Sequence, residues 1–430
     1  MTKPRDFLAG SNIYEVNLRQ YTPSGSFSDF ATHLPRLKAM GIDILWFMPL
    51  TPISIKERKG TLGSYYAASD YITINPEYGT EEEFKQLVSV AHDQGFKVIM
   101  DWVANHTGWD HTWTKTHPNY YIRDRNNAFT ERNGWEDVID LDYANQDMRQ
   151  AMIDSMAYWV QTFDIDGFRC DMAMLVHLEF WAEARLQIDK IKCLIWLAEC
   201  EDVNYFQVFD ILYAWEWMHL TKNVAHGHSD RYALEILIRE YDKRKLFPKR
   251  YLYFTSNHDE NSWNGTEYER YGSLNQVFAA LTMVLPDGIP LIYSGQELPL
   301  IHRLKFFDKD LIPWSEEGPR LHSFYHVLLK LRKTNQWYQN ADNFIYDINQ
   351  LTEDSRIFSL QVGLPAEDDI IGLFNLTNEK VHFSLQNIID PGNYKNVLTS
   401  DAVFIVSGLN ASLEAGDFRI YLRNPYSNNF

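Results

Sequence analysis

Only three cysteines occur in 430 residues, Cys170, Cys193 and Cys200. They form an odd set in apolar, strand-like contexts, which is expected of reduced packing residues in a reducing, cytoplasmic compartment. No apolar run approaches the ~18 residues needed to cross a membrane. The N-terminus, Met1-Thr2-Lys3-Pro4-Arg5-Asp6, lacks the apolar stretch of a signal peptide. Basic residues are scarce, with 40 Lys and Arg against 58 Asp and Glu for a net charge of −18. That balance argues against nucleic acid, anionic membrane surfaces and polyphosphates as partners and is compatible with a neutral substrate. Internal repeats and low-complexity tracts are also missing.

What is present is ordinary for a soluble globular chain of two or three domains: 45% hydrophobic and 23% charged residues. Aromatics are abundant at 15%, with 13 Trp and 25 Tyr. Most of them serve a core, but the surplus suits a protein that stacks ring faces on flat, apolar ligand surfaces.

From Asn12 onward short apolar runs alternate with helical stretches. Asn12–Asn17, Ile42–Met48, Lys97–Val103, Asp166–Cys170, Cys193–Ala198, Phe209–Ala214, Leu252–Thr255 and Ile289–Tyr293 read as strands. Phe27–Met40, Glu81–Gln94, Met148–Phe163, Arg231–Tyr241, Gly272–Leu285 and Leu321–Lys333 read as helices, with Thr80 as an N-cap and Gly41 as a stop. Eight strands at this rhythm predict parallel βαβ units closed into a (β/α)8 TIM barrel rather than an open sheet. The connection between Asn105 and about Asp142 is long, polar and without helical period, which marks a functional excursion. Beyond about Asn343 the pattern becomes short alternating segments (Asn343–Tyr346, Ile357–Val362, Ile370–Phe374, Val403–Val406 and Phe418–Leu422). These predict a C-terminal antiparallel β-sandwich. The expected division is a barrel over 1–104 and 143–342, an insert over 105–142 and a β domain over 343–430.

On the barrel, polar residues collect at the carboxyl ends of strands, where this architecture places active sites. Asp101, Asn105 and His106 follow the third strand, Arg169 and Asp171 the fourth, Glu199 the fifth, and Asn257, His258 and Asp259 the seventh. Arg169 and Asp171 are two apart and project to one side. The guanidinium is expected to keep Asp171 ionised, as suits a nucleophile. A structural ion pair at a strand terminus is the competing reading of those two residues. Glu199 follows Leu194-Ile195-Trp196-Leu197-Ala198, an apolar strand expected to desolvate it and raise its pKa. A protonated Glu facing an ionised Asp is the arrangement for glycoside cleavage with retention. The histidines sit on separate strands without zinc-ligand spacing.

Asp101-Trp102-Val103-Ala104-Asn105-His106, Gly167-Phe168-Arg169-Cys170-Asp171, Ala198-Glu199 and Ser256-Asn257-His258-Asp259 resemble, in order, the four motifs of the α-amylase family, glycoside hydrolase family 13. Gly41–Pro49, Asp140-Leu141-Asp142, Gly288-Ile289-Pro290 with Gly295-Gln296-Glu297, and Tyr65–Tyr71 resemble its secondary motifs. The resemblance implies Asp171 as nucleophile, Glu199 as general acid/base and Asp259 as transition-state stabiliser. It implies Tyr66, His106 and His258 as ligands of the glucosyl ring, Asp101 as a support of that ring's pocket, and Arg169 as the holder of Asp171. It further implies a calcium ion held by Asn105, Asp140 and the Leu175 carbonyl, with an α-glucan or maltooligosaccharide as substrate. Met174-Leu175 stand where many α-amylases have Lys-His on the leaving-group side. A glucanotransferase or disaccharide-rearranging enzyme is therefore the alternative within the family. A catalytically silent binding or partner protein is the alternative outside enzymes, and the presence of all three carboxylates speaks against it.

Overall fold

The computed structural model describes residues 7–244, 248–286, 288–315, 318–335, 338, 345–364 and 367–423. Strands β1 (Ile13–Val16), β2 (Ile44–Phe47), β3 (Lys97–Trp102), β6 (Gly167–Cys170), β7 (Ile195–Ala198), β8 (Ile211–Tyr213), β9 (Arg250–Tyr253) and β10 (Gly288–Tyr293) close into a parallel barrel. The order around the barrel is β1-β2-β3-β6-β7-β8-β9-β10 and back to β1. Each overlaps a run predicted from sequence, though β9 begins and ends two residues before the expected Leu252–Thr255 and β10 starts one residue before Ile289.

Period-two alternation divides each strand between two apolar layers. Ile13, Ile44, Trp46, Ile99, Ile195, Leu197, Ile211, Leu252, Ile289 and Leu291 fill the barrel interior. Val16, Leu45, Phe47, Val98, Met100, Phe168, Cys170, Trp196 and Ala198 face the helices in the outer core. The helix Glu81–Asp93 begins with a capping box in which Thr80 and Glu83 satisfy each other's backbone N–H groups.

Several expectations need correction. The helix expected over Phe27–Met40 is two, Phe27–Ala31 and Leu34–Met40. Thr32 caps the first, and Pro35 sits in the opening turn of the second, where its missing N–H costs nothing. Gly41 does end it, with φ 105° in the left-handed region. The excursion is not irregular throughout: β4 (His106–Gly108) pairs antiparallel with β5 (Val138–Asp140), and a helix spans Thr112–Thr116. Elements this short carry too few residues to display a period. Cys170 and Cys200 are buried as expected, but Cys193 is exposed, just ahead of β7.

The C-terminal region is antiparallel. One sheet has the order β11 (Ile345–Ile348), β12 (Ile357–Leu364), β13 (Glu367–Asn375), β18 (Phe418–Arg423), β15 (Gly392–Asn396), β16 (Ala402–Ile405). A second pairs β14 (Val381–Ser384) with β17 (Asn410–Leu413). Leu351, Ile371, Leu373, Phe383, Tyr394 and Leu413 form an apolar core of this region. Of the strand expected at Asn343–Tyr346, residues 343 and 344 lie outside the described residues, as does the expected domain boundary. Among the described residues no helix is long and apolar enough to cross a membrane.

Candidate active site

Arg169 is the hub around which the carboxyl end of the barrel is built. Its register partner on β3 is Asp101, so both project into the barrel at one level. Arg169 Nη1 donates to Asp101 Oδ1 at 2.9 Å and to Asp171 Oδ1 at 2.8 Å, and Nε donates to the Tyr213 hydroxyl at 3.1 Å. Nη2 lies 2.8 Å from Glu199 Oε2. The guanidinium carbon also sits 5.0 Å from the centre of the Trp46 ring, a cation–π contact in a dry setting.

One guanidinium thus faces three buried carboxylates, and electrostatics forbids all of them from ionising at their ordinary pKa. Burial pushes Glu199 up to about 7, with Arg169 only partly offsetting it. Burial also lifts Asp171 to about 6 against the pull of Arg169, and Asp101 adds to the lift. Asp101 is raised by burial to about 6 as well. The expectation that Arg169 lowers the pKa of Asp171 is therefore corrected. Desolvation outweighs a guanidinium whose charge is shared among three acids. Glu199 is raised as well, and the neighbouring charges of Asp171 and Asp259 add to the lift, which favours its holding a proton.

The turn after Asp171 aims a donor at Glu199. Met172 adopts a left-handed conformation, φ 40° and ψ 47°, rare for a side chain of this kind. In that conformation its backbone N–H donates to Glu199 Oε2 at 2.8 Å.

On the opposite wall His258 is held between two acids. Its Nδ1 lies 2.5 Å from Glu15 Oε1 and its Nε2 lies 3.2 Å from Asp259 Oδ2. Burial pulls the imidazole down, but Asp259 and Glu15 overcome it and hold the ring well above its ordinary pKa. His258 in turn keeps Asp259 below the usual carboxylate range despite burial. The Tyr66 hydroxyl donates to Asp101 Oδ2 at 3.0 Å and lies 2.7 Å from His258 Nε2, with the two rings stacked. His106 is buried and pushed down to about 4, hence neutral, with Trp135 edge-on to its ring.

A cavity of about 460 Å³ opens over this cluster. Of the predicted residues, Tyr66, His106, Asp171, Glu199 and Asp259 line it, while Asp101, Arg169 and His258 support it from behind. Glu15, Trp46 and Tyr213 were missed, although a carboxylate within the apolar run Ile13–Val16 was a readable signal. Lys59, Trp135, Asp137, Trp263, Phe306 and Phe307 also line the cavity. They sit outside the barrel strands, where no periodicity points to them.

Asn105, Asp140 and Leu175 do not form a cation cage. Asp140 Oδ2 accepts from Arg132 Nε at 3.0 Å and from Thr130 Oγ1 at 3.2 Å, so a guanidinium already neutralises it. The Asn105 side-chain amide points Nδ2 at His106 Nδ1, 3.1 Å away. Leu175 ends a short exposed turn. Among the described residues, no three His, Cys, Asp or Glu side chains gather as a metal-ligand group. Calcium requires about six to eight oxygens, and these residues do not fit it.

Comparison with known proteins agrees with this geometry. The family model described as "Alpha amylase, catalytic domain" matches residues 9–317. An alpha-amylase from Lactobacillus plantarum is 30% identical, with a TM-score of 0.87, covering 97% of this chain and 100% of that one. The maltogenic alpha-amylase AmyB from Thermotoga neapolitana is 31% identical, with a TM-score of 0.87, covering 96% and 99%. The 4-alpha-glucanotransferase of Thermotoga neapolitana is 26% identical over 353 residues, covering 72% of this chain and 76% of that one. Alpha-amylase MalA of Haloarcula japonica is 27% identical over 340 residues, and the match takes in 75% of this chain and 48% of that longer protein. With a catalytic-domain match over most of its length and acids of three barrel strands around one cavity, the chain belongs to the alpha-amylase family of glycoside hydrolases.

Proposed function

We propose that the protein hydrolyses α-1,4-glucosidic bonds of starch, glycogen or maltodextrins with retention, through a covalent glucosyl-enzyme. The observation that carries this reading is the sharing of Arg169 by Asp171 and Glu199. Attachment to neighbouring nitrogens of one guanidinium draws the two carboxyls together. That favours the ~5–5.5 Å spacing of a double displacement over the ~6.5–9.5 Å of an inverting pair.

In the first step the Asp171 carboxylate attacks the anomeric carbon while Glu199 gives its proton to the departing glycosidic oxygen. In the second, Glu199 takes a proton from water as that water attacks the anomeric carbon and frees Asp171. Asp259, ionised beside protonated His258, faces the positive charge that develops on the sugar ring. Tyr66 and His106 line the ring's place in the cavity.

Incubation with maltoheptaose tests the reading, with accumulation of reducing ends as the expected result and their absence as the result against it. The rate should climb as pH rises through about 6 and Asp171 ionises, then fall above about 7 as Glu199 loses its proton. A rate flat from pH 5 to pH 8 contradicts these assignments.

A transferase reading is favoured by Met174 and Leu175, which are 44% and 39% exposed on the leaving-group side and offer an apolar face to an acceptor sugar. Disproportionation of maltoheptaose without net gain of reducing ends identifies it.

The Arg132 guanidinium takes up the Asp140 carboxylate beside β5, which supports a site that works without calcium. Activity and melting temperature are expected to be unchanged by EDTA, and a fall in either overturns this part of the reading.

A further inference from the structure

The segment from Ser54 to Ser64, which follows β2, is tied down on two sides of the cavity. On the side of the β4–β5 insert, the backbone N–H groups of Ile55 and Lys56 donate to Asp110 Oδ2 at 3.0 and 3.1 Å. Lys59 Nζ lies 3.5 Å from Asp137 Oδ1, and both residues line the cavity. On the other side, the Thr61 N–H and hydroxyl donate to Asp308 Oδ1 at 2.8 and 2.6 Å, and the Leu62 N–H donates to the Phe307 carbonyl at 3.0 Å. Gly60 makes this approach possible. It has φ +64°, and a Cβ there would come within 2.5 Å of the Phe307 Cβ. Lys59, Ser64, Phe306 and Phe307 therefore form one continuous wall joining the β2 loop, the insert and the β10 loop.

The strand order fixes which side of the substrate meets this wall. Glu199 follows β7, and the acid must stand beside the departing oxygen, so the leaving portion of the glucan extends toward β6 and β7. Met174 and Leu175, which follow β6, are exposed on that side. β10 and β1 lie across the barrel from that pair of strands, with β2 next to β1. The glycone points toward them, and the wall stands at its far end.

Resting on the glucan-hydrolase reading, the geometry points to attack at the non-reducing chain end. The wall stops the glycone side of the cavity, so the enzyme accepts the terminal glucosyl units of a chain and releases a short product of uniform length. The Lys59 ammonium, the Asp137 carboxylate and the Ser64 hydroxyl are the polar groups available to the hydroxyls of the terminal sugar. Phe306, Phe307 and Trp263 offer aromatic surface to its apolar face.

The test compares p-nitrophenyl maltoheptaoside with the same compound carrying a 4,6-ethylidene group on its non-reducing end. Cleavage of the blocked substrate is expected to be slower by more than about tenfold, the scale of steric discrimination by a closed pocket. Equal rates on the two overturn the wall as a stop. Cleavage of neither sinks the hydrolase reading and the inference with it.

Asp308→Ala removes an anchor of the wall that does not itself line the cavity. The ratio of blocked to unblocked rates, read within one preparation and so independent of the folded fraction, should move toward one by at least about tenfold. A ratio unmoved by Asp308→Ala means that the block is sensed elsewhere, and the wall loses its assigned role.

Discussion

Asp171→Asn is expected to lower kcat on maltoheptaose by on the order of 10⁴-fold or more, because it removes the atom that forms the intermediate. Glu199→Gln is expected to cost on the order of 10²–10⁴-fold, the range for a lost proton donor. The two should differ in character. The loss in Glu199→Gln is smaller on aryl glycosides whose leaving group departs without a proton, and its rate loses the fall above pH 7. The loss in Asp171→Asn is the same for every leaving group. Steady-state rates on the two substrate types check this, and retained hydrolysis in Asp171→Asn would end the mechanistic proposal.

Glu199 also tests how the site trades stability for chemistry. Its folded pKa of about 7 lies above the ordinary carboxylate value, so the stability it contributes is intact at low pH and is lost as pH rises through 7. Glu199→Gln escapes that loss. At pH 8 it is expected to exceed the parent by on the order of 1–3 kcal/mol, with the gap closing toward pH 4. Denaturant melts at the two pH values measure the gap.

Arg169→Met carries the second large effect. Asp101, Asp171 and Glu199 would then be buried without their shared cation, and breaking a buried pair costs about 3–5 kcal/mol. Their pKa values should rise further, so the variant is expected to be most deficient at pH 8 and to recover stability toward pH 5, where protons replace the guanidinium. Parent-like stability at pH 8 would show that Arg169 is not the counter-ion of this cluster. The Tyr213 hydroxyl and the Trp46 ring would remain in place, so the loss is one of charge rather than of wall.

The barrel was legible because each of its strands is a short apolar run long enough to display alternation between helices with clear caps, as at Thr80 and Gly41. The acids at the strand ends were legible for the same reason, since a polar residue closing a buried strand stands out. Direction of titration was not. Ile195 to Ala198 foretold the raised pKa of Glu199, but nothing local to Asp171 tells that Asp101 competes for Arg169 from a strand 68 residues earlier. The paired segments β4 and β5 and the cavity walls at Lys59, Trp135, Trp263 and Phe306 were equally hidden, because contacts between loops leave no period. The neighbour of the expected calcium ligand Asp140 was hidden for a related reason. Arg132 reaches Asp140 from within the insert, and no motif announces it.

The apolar layer that surrounds the barrel does not stop at its last helix. It continues from Phe278 and Leu328 through Phe358, Phe374 and Phe418 on the sandwich, where Phe374 and Phe418 stack and Phe324 meets Phe418 edge-on. Arg231 deepens the seam, donating to the carbonyls of Thr352 and Ile357 at 3.1 and 2.8 Å. No plane between barrel and sandwich separates two fully covered surfaces. Excising the C-terminal region would leave an oily scar on the catalytic half and strip Arg231 of its carbonyl acceptors, so the smallest self-sufficient catalyst this chain can yield includes its non-catalytic end.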